Sequence, residues 1–581
     1  MGLRGRLPIF IKNFLLRRYF RVKLGSNFSD LYIQAEGVPQ GSVLSVILFI
    51  VHISLVLNVL QPAVFGSLYV DDLQISCSGS DMRIIERQLQ LAVNKILDWC
   101  DHNGHTLSPS KSSCIHFCRK RALHNDPVIF IHNIAIPVVP HAKFLGVTFD
   151  SKLTFIPHIK QLRKRCEQKL NMLRVLSNTY WGADRVALLR IYRALILSRL
   201  DYACVVYGTA TTSNLRILDT VHHTALRICS GAFRTSPVES LYVVCHQIPL
   251  YLRRIQLSLT YYFSIMSSKS HPLKHDVISS SLERLYIARP SHIPPLHART
   301  RSLIQSFDIC ELPSQSVDHF LIPPWTISPY QSISLFKLHD KANVTPCIFH
   351  TLFTAHRHQY SHHVPIYTDG SKSAGYVGCG VIIGDDTFSY KIPDICSVFT
   401  AEAVAILMAL RLISSRSTRK YCLYSDSMSV LSQLEKFHCD THPILCFIIH
   451  LLITLQKNGF EIIFCWVPSH VGIPGNELAD TAARSATSVL KVSIPFSDMK
   501  LHTRKLITSL WQQQWDLKVL NKLHSIKFDL NNFPVLRLRS ADVKLTRLRI
   551  GHTRLTNLHL LFGELPPNAV PVTFLSQFII F

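Results

Sequence analysis

Four acidic residues in the second half of the chain constrain the fold more than any other feature. They are Asp369, Glu402, Asp426 and Asp480. A single acid at the end of a strand-like run says little about structure. Four of them in separate, well-patterned contexts predict the wall of a metal site, because two Mg²⁺ ions about 3.5–4 Å apart need several carboxylates to hold them and can cleave a phosphodiester.

The first of these acids lies at the end of a predicted strand. Residues 366–368 alternate in polarity as a strand does and lead directly to Asp369. Gly370 and Ser371 then turn the chain, and a backbone of this kind can approach a phosphate closely.

The next two acids lie on a helix and at the end of another strand. A helix that begins near Thr400, a residue suited to cap it, carries Glu402 in its first turn. The apolar run 421–425 predicts a strand that ends at Asp426.

A loop and a third helix complete the set. Glu477 and Asp480 are three residues apart and share one helical face. In the loop 467–472, His470 lies between a proline and a glycine, and histidine transfers protons near neutral pH. The alternative is a set of unrelated surface acids at element ends; the order and the neighbours of the four favour a site.

Composition points to a polyanionic partner. The 581-residue chain has 62 Lys and Arg against 37 Asp and Glu, a net charge of +25. Nucleic acid is the leading candidate, and a basic surface without a specific partner is the alternative. Hydrophobic residues make up 48% of the chain, enough for several folded domains.

The sequence also bears on compartment and membrane association. The 16 cysteines include no CxxC pair, which argues against a structural zinc site and for free thiols in a reducing compartment. We expect no signal peptide and an intracellular location, nuclear or cytoplasmic. The uncharged run 43–60 is long enough for a membrane span, but its polar residues favour a buried helix, and we expect no transmembrane segment.

Residues 364–486 resemble ribonuclease H of the type I fold. The matching residues are Tyr367-Thr368-Asp369-Gly370-Ser371, Thr400-Ala401-Glu402, Tyr424-Ser425-Asp426-Ser427 and Trp466-Val467-Pro468-Ser469-His470, continuing into Asn476-Glu477-Leu478-Ala479-Asp480. The resemblance implies a mixed five-stranded sheet with flanking helices. It also implies hydrolysis of the RNA strand of an RNA–DNA hybrid, with water as the nucleophile and a 3′-hydroxyl and a 5′-phosphate as products.

The same resemblance assigns roles to individual residues. It implies that Asp369, Glu402, Asp426 and Asp480 hold two Mg²⁺ ions, for which Mn²⁺ can substitute, and that His470 assists proton transfer or product release. It further implies nucleic-acid contacts at a second set of residues, which are Gly370, Ser371, Ser427 and Asn476.

An earlier segment resembles a polymerase. Tyr69-Val70-Asp71-Asp72 lies between two apolar runs, and adjacent acids in a rigid turn suit metal binding, although an ordinary Asp-Asp hairpin is the alternative. Upstream, Gly37-Val38-Pro39-Gln40-Gly41-Ser42 is a turn that opens a helix. Together they resemble the reverse transcriptase of LINE-type, jockey-like non-LTR retrotransposons, which implies nucleic-acid contacts at Gln40 and Gly41 and metal binding at Asp71 and Asp72.

The polymerase resemblance is partial. The family places a first catalytic aspartate on a strand well before the Gly37 turn, whereas residues 1–30 contain only Asp30 as an acid. We therefore expect that this chain does not polymerise DNA by itself. Two functions remain open: a retroelement protein with an active ribonuclease H, or a catalytically inactive basic nucleic-acid-binding fragment.

These patterns predict a multidomain protein of α/β and α+β class. Its predicted segments are a partial reverse transcriptase palm (1–150), a helical thumb-like region (151–267), a Pro/Ser/His-rich linker (268–363), a ribonuclease H domain (364–488) and a basic C-terminal tail (489–581).

Overall fold

The computed structural model describes residues 4–118, 125–275, 284, 286, 288, 294–307, 322, 330–333, 336, 345–438 and 441–553. The chain divides into two compact units, Met1–Gln161 and Leu162–Phe581. Parts of the predicted linker, including residues 308–321 and 337–344, lie outside the described residues, as does the predicted tail from 554 onward. The division into five segments stays a prediction.

The first unit consists of short antiparallel ribbons and helices. Its strands are β1 (Arg18–Phe20), β2 (Lys23–Leu24), β3 (Asn27–Phe28), β4 (Tyr32–Gln34), β5 (Phe65–Tyr69), β6 (Asp72–Ser76), β7 (Phe130–Ile131), β8 (Ile134–Ala135), β9 (His141–Phe144) and β10 (Val147–Asp150). Its helices are α1 (Leu7–Leu15), α2 (Val43–Ile53) and α3 (Met82–Asn103), and α4 (Ile156–Leu176) begins there.

The helix α3 shows how local signals set its bounds. The Asp81 side chain accepts a hydrogen bond from the Arg83 N–H at 2.9 Å, which caps the start, and Gly104 ends the helix in the left-handed region at φ 70°. Val93, Ile96 and Leu97 are buried along one face, as the amphipathic pattern predicts.

The apolar run 43–60 forms a helix but not a buried one. It folds as α2 followed by a 3₁₀ helix, Ser54–Val59, and Ser45 is the one buried residue within the bounds of α2. The prediction of a buried helix is wrong, because the described elements of this unit leave most of α2 at least partly exposed. Among the described residues, no helix combines the length and the apolar character needed to cross a membrane.

A six-stranded mixed sheet organises the second unit. In spatial order its strands are β11 (Ser332–Ile333), β16 (Glu461–Trp466), β15 (Lys420–Ser425), β12 (Val364–Ser373), β13 (Tyr376–Ile383) and β14 (Asp386–Ile392). β12 pairs antiparallel with β13 and parallel with β15, which in turn pairs parallel with β16. The mixed sheet is as predicted, with one strand more than the expected five. The additional strand, β11, has two residues, pairs parallel with β16 and comes from the predicted linker.

Helices surround this sheet and form a further layer beside it. They are α5 (Arg185–Tyr192), α6 (Ser198–Asp201), α7 (Cys204–Tyr207), α8 (Thr212–Ser230), α9 (Val238–Cys245), α10 (Leu250–Ser267), α11 (Leu296–Ser306), α12 (Pro346–Gln359), α13 (Val398–Ser414), α14 (Met428–Glu435), α15 (Pro443–Lys457), α16 (Pro474–Arg484), α17 (Phe496–Asp516) and α18 (Arg539–Ile550).

The side chains of β12 alternate between the two faces of the sheet, so the core has one half on each face. Ile366 packs into a cluster with α13 and α15, whereas its neighbour Tyr367 packs on the opposite face of the sheet with α12 and α16. The larger cluster also contains Leu259 and Phe263 of α10. The sheet and the helical layer therefore share apolar packing.

The last described helix, α18, is anchored to the same helical layer. Arg539 donates to the carbonyls of Cys229 at 2.5 Å and Ile228 at 2.8 Å, near the end of α8. Arg185 and Asp542 form an ion pair at 3.4 Å with both side chains almost fully buried. These contacts join sequence positions more than 300 residues apart into one layer.

Candidate metal centre

Two neighbouring parallel strands bring Asp369 and Asp426 together, but Asp369 lies within β12 and not at its end as predicted, because the chain does not turn at Gly370 and Ser371 and continues in pairing with β13 to Ser373. Thr368 in β12 is in register with Ser425, the last residue of β15, so the two aspartates follow neighbouring positions. Trp466 at the end of β16 donates its indole N–H to the Asp426 carbonyl at 3.0 Å, which fixes the backbone where β15 ends. Asp369 and Asp426 therefore lie side by side where the pairing of β12 with β15 ends.

A close helix-to-strand contact adds Glu402. A Cβ on Gly370 would lie 2.5 Å from the Glu402 backbone nitrogen and 2.8 Å from the Ala401 carbonyl carbon. Only glycine allows the first turn of α13 to approach β12 this closely. Glu402 is 6% exposed as a result.

Two further glycines bring in the helix that carries Asp480. A Cβ on Gly378 would lie 2.2 Å from the Ala483 carbonyl oxygen, and one on Gly380 would lie 2.3 Å from that of Ala479. Because Gly378 and Gly380 have no side chains, α16 rests directly on β13 at these two positions. Gly380 is also in register with Asp369, so this packing places Asp480 beside the same point.

Three carboxylates form the tightest group among the described residues. Asp369, Glu402 and Asp426 each offer an oxygen, and these oxygens lie within 4.8 Å of one another. Asp480 borders the group, since its charge and a side-chain hydrogen bond act on Asp369. Its own carboxylate is held by Arg484, with Nε 2.8 Å from Oδ1.

Burial and mutual repulsion raise the pKa values of these acids. The pKa of Asp369 is raised to about 7, chiefly by burial and then by the charge of Asp426, while the Gly370 N–H, at 2.8 Å, opposes the shift. The pKa of Glu402 is raised well above its ordinary range by burial and by the charges of Asp369 and Asp426. Burial also raises the pKa of Asp426, against a hydrogen bond from Asn476 that lowers it.

The donor set fits divalent cations such as Mg²⁺. It consists of carboxylate oxygens, the ligands that hard cations prefer. Glu402 Oε2 is buried and has no hydrogen-bond partner, an arrangement that is costly unless a cation or donor satisfies it. A bound cation would also relieve the repulsion between the three acids.

His470 lies at the rim of this cluster. Its backbone is in the left-handed region at φ 51° and its side chain is 60% exposed, with Nδ1 4.0 Å from Asp480 Oδ2. This position leaves the imidazole free to reach water and substrate while staying close to the acids.

The residues expected to contact nucleic acid differ in their exposure. Asn476 is buried, with Oδ1 unpartnered while its side chain hydrogen-bonds Asp426. Ser427 is nearly buried at 8% exposure, whereas Gly370 and Ser371 are half-buried at the mouth of the cluster.

The polymerase-like acids form no comparable group. In the hairpin of β5 and β6, Tyr69 pairs with Asp72, so Asp71 lies in the turn, and both acids are exposed. Within the described residues they are not part of any cluster of three metal-ligating side chains. Gln40 and Gly41 are exposed in the turn before α2, with Gly41 at φ 93°.

One buried acid near the cluster has no counterpart in the sequence predictions. Asp498, in the first turn of α17, is 3% exposed and bonds to the start of α13. An acid in the first turn of a helix is a common pattern, so the sequence carries no signal that would have singled it out.

Two family models match the chain. Residues 4–149 match the family described as reverse transcriptase (RNA-dependent DNA polymerase), and residues 361–488 match the family described as RNase H.

Curated relatives are similar over part of their length. The chain is 26% identical over 233 residues to a probable RNA-directed DNA polymerase from transposon X-element of Drosophila melanogaster, covering 38% of this chain and 24% of the relative. It is 26% identical over 243 residues to the RNA-directed DNA polymerase from mobile element jockey of the same organism, covering 40% and 26%. The chain therefore spans about a quarter of the length of these relatives.

Among solved structures, RNase H1 from the halophilic archaeon Halobacterium salinarum NRC-1 is similar at 25% identity and a TM-score of 0.18, over 21% of this chain and 96% of that one.

Proposed function

Because the chain carries a reverse transcriptase segment followed by a ribonuclease H segment, and its relatives are RNA-directed DNA polymerases of non-LTR retrotransposons, we propose that it hydrolyses the RNA strand of RNA–DNA hybrids. The observation that carries this proposal is the group of three carboxylates whose oxygens lie within 4.8 Å of one another. All three lie inside the segment that matches the RNase H family.

The four acids have distinct parts in this proposal. Asp369, Glu402 and Asp426 would hold the first of two Mg²⁺ or Mn²⁺ ions, and Asp480 would complete the set at its border. When bound, such ions activate water as a nucleophile and neutralise charge on the scissile phosphate. Before binding, the raised pKa of Asp369 keeps part of this site protonated near neutral pH.

The remaining residues position the substrate and move protons. His470, exposed at the rim, would exchange protons with the leaving group or assist product release. The backbone at Gly370 and Ser371, together with Ser427 and Asn476, would contact the hybrid. Selection of RNA over DNA requires contacts to the 2′-hydroxyl.

The test is cleavage of a labelled RNA–DNA hybrid by the full chain with Mg²⁺, beside Asp426→Asn and Asp385→Asn. Asp385 is an exposed acid of the same segment, in the turn between β13 and β14, so its substitution controls for loss of one negative charge. We expect cleavage by the wild type and Asp385→Asn, and a loss of at least about 100-fold in Asp426→Asn, whose substitution removes a metal-ligating oxygen.

The second candidate is a basic binding protein without catalysis, favoured by the net charge of +25. In that case the folded wild type would bind hybrid with a steep salt dependence and leave the RNA strand intact.

A further inference from the structure

Asp498 connects a helix outside the RNase H-matched residues to the helix that carries Glu402. Its Oδ2 accepts a hydrogen bond from the Ser397 N–H at 3.0 Å and another from Thr400 Oγ1 at 2.6 Å. Asp498 is 3% exposed and Thr400 is fully buried. The family match ends at residue 488, so this contact comes from beyond it.

These bonds act where α13 begins. The first N–H groups of a helix have no partner within the helix, and the positive end of its dipole favours a carboxylate. Ser397 is the N-cap, and its hydroxyl accepts from the Thr400 N–H at 3.2 Å. Asp498 binds both the N-cap residue and the hydroxyl of Thr400, so it fixes the position and the rotation of the first turn.

Glu402 follows Thr400 by two residues, just after the first turn, because the helix begins at Val398 with Ser397 as its cap and not at Thr400 as predicted. On its other side the turn touches β12 at Gly370, with no room for even a methyl group. The first turn is therefore confined between Gly370 and Asp498, and a movement of the helix away from β12 is opposed by the Asp498 bonds. We infer that Asp498 is a positioning residue that holds Glu402 in the metal-binding geometry.

Asp498 is itself held by the helical layer. Farther along α17, Trp511 and Trp515 are buried, and the Trp515 indole N–H donates to the Lys527 carbonyl at 2.8 Å. The Tyr251 hydroxyl of α10 donates to Gln514 of α17. The placement of Glu402 is thus linked, through one rigid helix, to the packing of α17 on α10.

This inference rests on the proposed function, and metal binding tests it separately from cleavage. The full chain and its variants Asp498→Ala and Asp498→Asn are titrated with Mg²⁺ by calorimetry and assayed for hybrid cleavage. Asp516→Ala is the matched control, since Asp516 lies on the same helix, is exposed and accepts from Gln512 at 2.7 Å.

We expect Asp498→Ala to weaken Mg²⁺ binding about 10- to 100-fold, the range found when a residue that orients a metal ligand is lost. The half-maximal Mg²⁺ concentration for cleavage should rise in proportion. Asp498→Asn should recover much of the affinity, because its amide oxygen can accept both hydrogen bonds. Asp516→Ala should match the wild type.

Thr400→Val tests the same hydrogen bond from its other partner and does not depend on the folding of Asp498→Ala. Valine keeps the shape of threonine without the hydroxyl, and we expect weaker Mg²⁺ binding in Thr400→Val and less than additive loss when it is combined with Asp498→Ala. Unchanged Mg²⁺ affinity in Thr400→Val and in folded Asp498→Ala, even with a lower melting temperature, would show a merely structural role and overturn the inference. A wild type that binds Mg²⁺ without cleaving would refute the proposed activity and leave this inference standing.

Discussion

Replacement of Gly370 by alanine is the most direct test of how the fold builds the cluster. The new Cβ would lie 2.5 Å from the Glu402 nitrogen, whereas ordinary contacts begin near 3.4 Å. The positions of the new Cβ and of the Glu402 nitrogen are both set by the backbone, so no side-chain rotation relieves the overlap. The first turn of α13 must withdraw from β12 by about 1 Å, and Glu402 withdraws with it.

The expected effect follows from that displacement. A misplacement of about 1 Å in a catalytic group lowers the rate about 100-fold, which corresponds to about 2.7 kcal/mol of activation free energy. Overpacking of this kind also lowers the free energy of unfolding by about 1–3 kcal/mol. Because alanine keeps the backbone N–H, we expect kcat to fall while KM for the hybrid stays close to that of the wild type.

Hybrid cleavage by the full chain at saturating Mg²⁺ measures this effect, with chemical unfolding as the measure of stability. Gly79→Ala is the control, because a Cβ at Gly79 meets its nearest neighbour at 3.4 Å, an ordinary contact. A Gly370→Ala protein with kcat within threefold of the wild type would refute the claim that this contact sets the position of Glu402.

Three further predictions concern the remaining acids and the loop histidine. The pKa of Asp369 rises from 3.8 to about 7 on folding, so the folded state keeps a proton that the unfolded state has lost; the free energy of unfolding without metal should fall from about pH 4 to pH 7 in urea titrations with EDTA. Asp426→Asn should flatten that slope, and a slope unchanged by this variant would exclude repulsion between the two acids. His470→Ala should lower kcat by up to about 100-fold with an unchanged melting temperature, and full activity in the variant would remove His470 from the mechanism. Primer extension on an RNA template should be absent, since Asp71 and Asp72 join no third ligand among the described residues; extension that Asp72→Asn abolishes would show the opposite.

Much of the metal centre follows from local sequence rules. Asp369 and Asp426 each follow an apolar run, so their proximity could be anticipated once the two runs were assigned as neighbouring parallel strands, although β12 continues past Asp369 to Ser373. The comparisons confirm the reverse transcriptase and ribonuclease H resemblance, and the structure confirms the mixed helix and strand fold. The roles given to individual site residues stay predictions.

Other features depend on contacts that local patterns do not encode. The hydrogen bond between Asp498 and Thr400 joins residues 98 positions apart. An acid shortly after Pro495 is an ordinary helix-start pattern and does not indicate this long-range partner. The strand Ser332–Ile333 is too short for a periodic pattern. The run that forms α2 predicts a helix correctly, but its burial depends on which elements pack against it, and hydropathy alone does not specify these.

The helical layer has a consequence for how the RNase H-matched segment can be excised from the chain. Its two halves, α5–α10 and α17–α18, flank the RNase H-matched residues in sequence and meet in space through Arg185, Asp542 and Arg539. The matched segment therefore lies, in sequence, between two parts of one folded layer, and α17 of that layer bonds directly to the start of α13 through Asp498. A cut at residue 488, where the family match ends, keeps Asp369, Glu402, Asp426 and Asp480 but removes α17 and α18. A piece that ends at residue 488 therefore loses the Asp498 hydrogen bonds to Ser397 and Thr400, and with them the contact that ties α13 to the helical layer.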